Sequence, residues 1–207
     1  MQIIEEKYIW RPGSTFQIQT PDTIVIHHSL ARVSSAQDIH QWHLARGWKG
    51  IAYQFLIRKN GLIYRGRQEN HVGGHLYGEE DTNTIGICLE GCYTDYVVNG
   101  IDYTEKEVPQ VQMDALIWLI QDCKSRWPII LINGHLDYNS AQEEEKDCPG
   151  KYFPWDKLRQ MLKREEYKSI IQAKTRFHNP QGVWNAVEKC HPFPDALYQQ
   201  WADSYRE

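Results

Sequence analysis

TIVIHHSLARVSSAQDIHQWHLARG, residues 23–47, decides the fold. Its first six residues form a β-branched run that ends in two histidines, the composition of a strand. Ser34, Ser35, Gln37 and Asp38 then offer N-cap chemistry for a helix running to about Arg46, and Gly47 stops it. Ile39, Trp42 and Arg46 are expected to share one face of that helix. A strand passing directly into an amphipathic helix points to an α/β order.

Outward from this stretch the same alternation continues. Tyr53 to Arg58 (YQFLIR), the Asn60-Gly61 turn and Leu62 to Arg65 (LIYR) read as a β-hairpin. Arg67 to Asn83 is rich in Gly, His and charge without a sustained period, which predicts a surface loop bordering something. Thr84 to Glu90 (TIGICLE) returns to a buried strand. Pro109 suits the first turn of a helix whose apolar positions Met113, Leu116, Ile117, Ile120, Cys123 and Trp127 recur at three and four, closed by Pro128. Ile129 to Ile132 (IILI) predicts a short apolar strand feeding into Gly134-His135, and a final helix runs from about Pro154 to Glu166. The expected fold is α/β, a mixed central β-sheet flanked by α-helices. From Lys168 the chain changes to short aromatic segments broken by Asn179-Pro180, Pro192 and Pro194. The expected division is therefore a domain over 1–167 and a short helical C-terminal extension over 168–207.

At 207 residues and 41% hydrophobic content the chain can bury one full core and carry an appendage. A net charge of -4 and a pI near 6.1 argue against a broad basic surface, so no nucleic-acid partner is expected. No apolar run approaches the roughly 20 residues that span a bilayer, so no membrane insertion is expected. MQIIEEKYIW lacks the basic start and apolar stretch of a secretion signal, which predicts a cytoplasmic location at synthesis. Five scattered cysteines do not make a disulfide framework and fit a reducing compartment better. Cys88 and Cys92, read in one strand, would stand roughly 13 Å apart, and pair only if Gly91 turns the chain.

Three segments each end or follow a strand: His27-His28, Gly134-His135-Leu136-Asp137, and Lys146-Asp147-Cys148-Pro149-Gly150. Two imidazoles and a thiolate meeting there would suit zinc, and three protein ligands would leave the fourth position of a catalytic site open. Alternation puts His27 and His28 on opposite faces, so only one should reach a metal; spacing does not choose which. Cys148 sits before Pro-Gly in a polar loop, a setting that favours ligation over packing. Asp137 is read as either a hydrogen-bond partner of a ligand imidazole or a cap of the following loop.

The stretches IVIHHS, DIHQWHLARGWKGIAYQFLIRKNGLIYRGR, GGHLYGEEDTNTIGICLEG, GHLD and KDCPG together resemble the zinc amidases shared by phage amidase-type lysozymes, bacterial N-acetylmuramoyl-L-alanine amidases and peptidoglycan recognition proteins. The resemblance runs from about residue 22 to 160. It implies one zinc ion held by His27, His135 and Cys148, with Tyr53 and Lys146 as catalytic groups. It also implies that His75 and Asn83 line a substrate groove, with Arg65 and Arg67 nearby as carboxylate partners. The implied activity is hydrolysis of the amide between N-acetylmuramic acid and the first alanine of the stem peptide, with peptidoglycan or muropeptides as partner. Two alternatives stay open: a binding module that only recognises wall fragments, and a muropeptide recycler. Without an export signal, a lysin acting on the wall after release is the favoured role. His135 and Cys148 lie further apart than the resemblance implies, with the acidic run Gln142 to Glu145 between them. The extension has no counterpart in the resemblance. Its apolar faces (Val183, Trp184, Val187; Leu197, Tyr198, Trp201, Tyr205) are expected to pack on the domain or on a twin subunit, or else to contact the wall.

Overall fold

The computed structural model describes residues 1–143 and 147–176. A six-stranded sheet forms its centre, built from β1 (Ile3–Ile4), β2 (Thr23–His28), β3 (Phe55–Ile57), β4 (Ile63–Arg65), β5 (Thr84–Leu89) and β8 (Leu131–Gly134), in the order β1-β4-β3-β5-β2-β8. β3 and β4 pair antiparallel across the Asn60-Gly61 turn, where Gly61 takes φ 82° as that turn requires, and every other pairing is parallel. The mixed α/β sheet is therefore the expected one. A separate two-stranded ribbon, β6 (Val97–Val98) and β7 (Ile101–Asp102), lies outside it.

β2 is flanked on both sides, by β5 and β8, and every one of its residues is buried. That explains its composition, since a strand covered on both faces needs β-branched residues throughout. Ile24, Val25 and Ile26 are wholly excluded from solvent, and each stabilises the fold by about 1.5–3 kcal/mol. Helix α1 (Ala36–Ala45) begins at a capping box in which Ser35 and Asp38 exchange hydrogen bonds. It packs Ala36 and Ile39 on Leu56 and Cys88 of the sheet. Helix α2 (Gln110–Arg126) buries Met113, Leu116, Ile117, Ile120 and Cys123, as their spacing predicts. A short helix, α3 (Asn139–Glu143), and the long α4 (Trp155–Arg176) complete the order.

Four local expectations are corrected. The buried face of α1 is Ala36, Ile39, His40 and His43, while Trp42 is 42% exposed. The two imidazoles are buried because each accepts a backbone N–H, from Ile51 and Ala52 respectively, so burial leaves their polar atoms satisfied. β8 is shifted two residues to Leu131–Gly134 and forms the sheet's edge, leaving Ile130 and Leu131 76% and 50% exposed. α4 does not stop at Glu166 but continues to Arg176, because residues 167–176 contain no Gly or Pro to end it. β5 ends at Leu89, so Cys88 and Cys92 do not share one strand; Gly91 turns the chain between them, at φ 144°, and both thiols are free.

Contacts divide the chain into Met1–Leu158 and Arg159–Glu207. The site considered next lies wholly in the first unit. The aromatic segments expected after Asn179 lie outside the described residues.

Candidate active site

Register places two histidines side by side. Ile26 of β2 pairs with Gly134 of β8, so His27, still within β2, and His135, the first residue beyond β8, stand at the same level, their ring centroids 4.7 Å apart. β8 turns at once into a 3-10 turn, His135–Asp137, whose Asp137 carboxylate accepts the Gly134 N–H at 2.7 Å. Asp137 therefore takes the capping role. Cys148 is returned to this point by the Leu136 N–H, which donates to the Cys148 carbonyl at 2.8 Å. Beyond it, Gly150 passes so close to Tyr93 that any Cβ would collide with the Tyr93 carbonyl, which accounts for glycine there.

The outcome is a cluster of His27, His135 and Cys148 whose donor atoms all lie within 4.8 Å of one another. Cys148 Sγ is 3.6 Å from His27 Nδ1. Both histidines are buried and Cys148 is half-buried. Two imidazole nitrogens and one sulfur are donors that zinc accepts, and a three-residue set leaves the fourth tetrahedral position to a water or substrate. The donor set, its convergence and its position at a groove all fit that ion.

His28 points to the other face of β2 and accepts the Tyr93 N–H at its Nδ1, 3.0 Å away. Burial pulls its pKa down to about 4 against the opposing pull of Asp147, so it is a neutral structural acceptor. Tyr53 faces the cluster, with its ring centroid 5.1 Å from that of His27 and 5.6 Å from that of His43. Burial pushes its phenol well above the ordinary range, and its side chain also hydrogen-bonds with Cys88, so the hydroxyl stays protonated at neutral pH.

A groove of about 1200 Å³ opens over these residues, bordered among others by Arg46, Trp48, Tyr77, Thr94, Tyr96 and Asp147. Of the four predicted binding residues the groove includes two. His75 borders it, but its side chain is 0% exposed and its Nδ1 lies 3.1 Å from His27 Nε2. Arg67 borders it too, with Nε donating to the Ile51 carbonyl at 2.9 Å and NH1 to those of Val72 and Gly73. Burial lowers its pKa to about 10, and it keeps its charge.

Arg65 and Asn83 lie outside the groove, contrary to expectation. Arg65 donates to Glu5 and, at 2.8 Å, to the buried Glu69, which also receives Arg126 and, at 2.5 Å, the Trp127 indole. The Glu5 and Glu69 carboxylates hold its side chain away from the groove. Asn83 is exposed and takes φ 61°, with its carbonyl accepting the N–H groups of Asp22 and Thr23. It is a turn residue leading into β5, in a conformation asparagine tolerates. Lys146 lies outside the described residues.

His43 and Trp48 border the groove and were not singled out from the sequence. Burial, aided by Arg46 and Arg67, lowers the His43 pKa to about 4, and its ring packs 4.7 Å from that of Trp48. The signal was present in the 3.6-residue spacing of Ile39 and His43, read instead through Trp42.

Residues 17–151 match a family model described as N-acetylmuramoyl-L-alanine amidase. The endolysin of Escherichia phage T7 is 37% identical over 136 residues, covering 64% of this chain and 83% of the relative. Peptidoglycan-recognition protein SC2 of Drosophila melanogaster is 29% identical over 144 residues, covering 65% of this chain and 71% of the relative. Among solved structures, the N-acetylmuramoyl-L-alanine amidase LysC from Clostridium intestinale is 33% identical with a TM-score of 0.67, over 79% of this chain and 98% of that one.

Proposed function

The chain belongs to the N-acetylmuramoyl-L-alanine amidase family and is a peptidoglycan hydrolase, and we propose that it works with one zinc ion held by His27, His135 and Cys148. The convergence of those three donors from separate segments, within 4.8 Å, carries this reading. When bound, the ion supplies Lewis-acid polarisation of the scissile carbonyl and acidifies a water.

The chain's own residues then do the following. The groove receives the glycan and stem peptide, with Arg67 at its border and the Trp48 and Tyr77 rings offering apolar contact. Tyr53, protonated because it is buried, donates a hydrogen bond toward the carbonyl oxygen as charge develops there. Lys146, two residues before Cys148 in sequence, is assigned a second positive donor to that oxygen. The amine that leaves takes a proton, and Tyr53, whose ring packs against that of His27, is assigned to pass it. The reaction is assigned to the domain over 1–167, and the extension over 168–207 to packing on that domain or on a twin subunit, or to wall contact. The protein acts on the wall after release from the cell that makes it.

The experiment is to incubate the protein with purified peptidoglycan, with and without a zinc chelator, and to analyse products by mass spectrometry. Free stem peptides with N-terminal alanine, lost on chelation and restored by zinc, are expected. Wall binding without any cleavage would instead mean a recognition module.

A further inference from the structure

We propose that His75 is a positioning residue that fixes the tautomer and ring orientation of His27, so that Nδ1 of His27 presents its lone pair to the metal. The inference rests on the reading of His27, His135 and Cys148 as zinc ligands.

Thr84 stands two hydrogen-bonded contacts away from His27, with His75 between them. Its Oγ1 lies 2.7 Å from the Asp81 carbonyl oxygen. A carbonyl has no proton to give, so the single hydroxyl proton of Thr84 occupies that contact. Oγ1 also lies 3.3 Å from His75 Nε2, and there it has only lone pairs left. Nε2 of His75 must therefore carry a proton. In a neutral imidazole the other nitrogen is then bare, and His75 Nδ1 is an acceptor. It faces His27 Nε2 at 3.1 Å, so that nitrogen carries the donated proton. A neutral His27 protonated at Nε2 keeps its lone pair on Nδ1, the atom 3.6 Å from Cys148 Sγ. A chain of three hydrogen bonds thus leads from a backbone carbonyl to the choice of ligating atom.

The relay is held rigidly. The His75 and Leu76 N–H groups both donate to Asp81 Oδ1, at 2.8 and 3.0 Å. The imidazole lies between Gly73 and Gly86: a Cβ at Gly73 would come 2.8 Å from His75 Nε2, and one at Gly86 2.7 Å from His75 Cγ. Both positions must be glycine for the ring to sit where it does. The ring is also wholly excluded from solvent. Partners that orient a metal-bound histidine typically hold about 10–100-fold of metal affinity.

The test has two arms on the full chain. Zinc affinity is measured by competition with a chromophoric chelator for wild type, Cys148→Ser, His75→Leu, His75→Asn, Thr84→Val and Thr84→Ser. Long-range proton–nitrogen NMR on histidine-labelled protein reads the tautomers of His75 and His27. His75→Leu is expected to weaken zinc binding about 10–100-fold, while His75→Asn, which keeps an acceptor near the Nδ1 position, stays close to wild type. Thr84→Val should weaken binding less than His75→Leu, with Thr84→Ser restoring it, and NMR should show protons on Nε2 of both histidines. A proton on Nδ1 of His27, or unchanged affinity in Thr84→Val and His75→Leu while Cys148→Ser loses zinc, overturns the role of His75 alone. Equal zinc binding by wild type and Cys148→Ser would overturn the ligand set itself. Should His75→Leu fail to fold, Thr84→Val and the wild-type spectrum still decide.

Discussion

Replacing Glu69 by glutamine should destabilise the fold by about 2–3 kcal/mol. The Glu69 side chain is 4% exposed and gathers Arg65, Arg126 and the Trp127 indole, tying the end of the hairpin to the end of α2. Removing one partner of a buried ion pair typically costs about 3–5 kcal/mol. Two features reduce that here. Arg65 keeps Glu5 at 2.7 Å, and Arg126 is 37% exposed and keeps Asp122, so neither guanidinium is left stranded. The resulting ~2–3 kcal/mol is a roughly 30- to 140-fold change in the folding equilibrium, to be read from urea denaturation of wild type and Glu69→Gln. The same carboxylate predicts a pH signature. Burial alone would raise its pKa, but the hydrogen bonds from Arg65, Trp127 and Arg126 and the charge of Arg126 hold it below its ordinary 4.5. A depressed acid stabilises the fold fully above its unfolded value and loses that contribution as pH falls through the lower folded value. Wild type should therefore lose more stability than Glu69→Gln as pH drops below about 4.5. A stability change under about 0.5 kcal/mol, the size of an ordinary surface substitution, or parallel acid limbs in the two proteins, would refute the reasoning.

Three further outcomes are expected. Tyr53→Phe should leave bound zinc, measured by elemental analysis, unchanged while lowering kcat by about 10²–10³, the loss for one donor to a developing oxyanion. Tyr93→Phe strips the proton that Tyr93 gives to Gln112 Oε1 at 2.6 Å; an unsatisfied buried acceptor should cost about 1–3 kcal/mol in thermal or urea unfolding. Gly86→Ala forces a methyl against the His75 ring, so calorimetry should show destabilisation of about 1–3 kcal/mol from overpacking.

Much of the fold was legible because its signals are local. Asn60-Gly61 marks a hairpin by the φ it must adopt, and TIVIHH marks a strand by its β-branched run, which the structure then buries on both faces. What was not legible depends on partners distant in sequence. His40 and His43 read as polar, and only the Ile51 and Ala52 N–H groups that they receive make them core residues. IILI looks like an interior strand, yet the chain is paired two residues later and at the sheet's edge. At the site, the three converging donors were found from strand ends and the Cys-Pro-Gly turn together with the family resemblance. The roles of Arg65 and Asn83 were not, because proximity in sequence to a groove says nothing about which side of a strand or turn a side chain occupies. Arg65 serves Glu69, and Asn83 serves a left-handed turn.

The Arg67 side chain, at the groove's border, fastens the Ile51 carbonyl to the Val72 and Gly73 carbonyls, and its backbone N–H holds Tyr53 as well, at 2.9 Å. One planar, permanently charged fork thus reinforces two segments that the Gly74 N–H to Ala52 carbonyl and Gln54 to His71 carbonyl bonds already join. Shifting this part of the lining would require several of these bonds to part at once, so it is set in place when the chain folds. An incoming polymer then meets a surface already ordered. The entropy that a mobile wall would lose on binding has been spent before the ligand arrives, and the affinity that remains reflects contact alone.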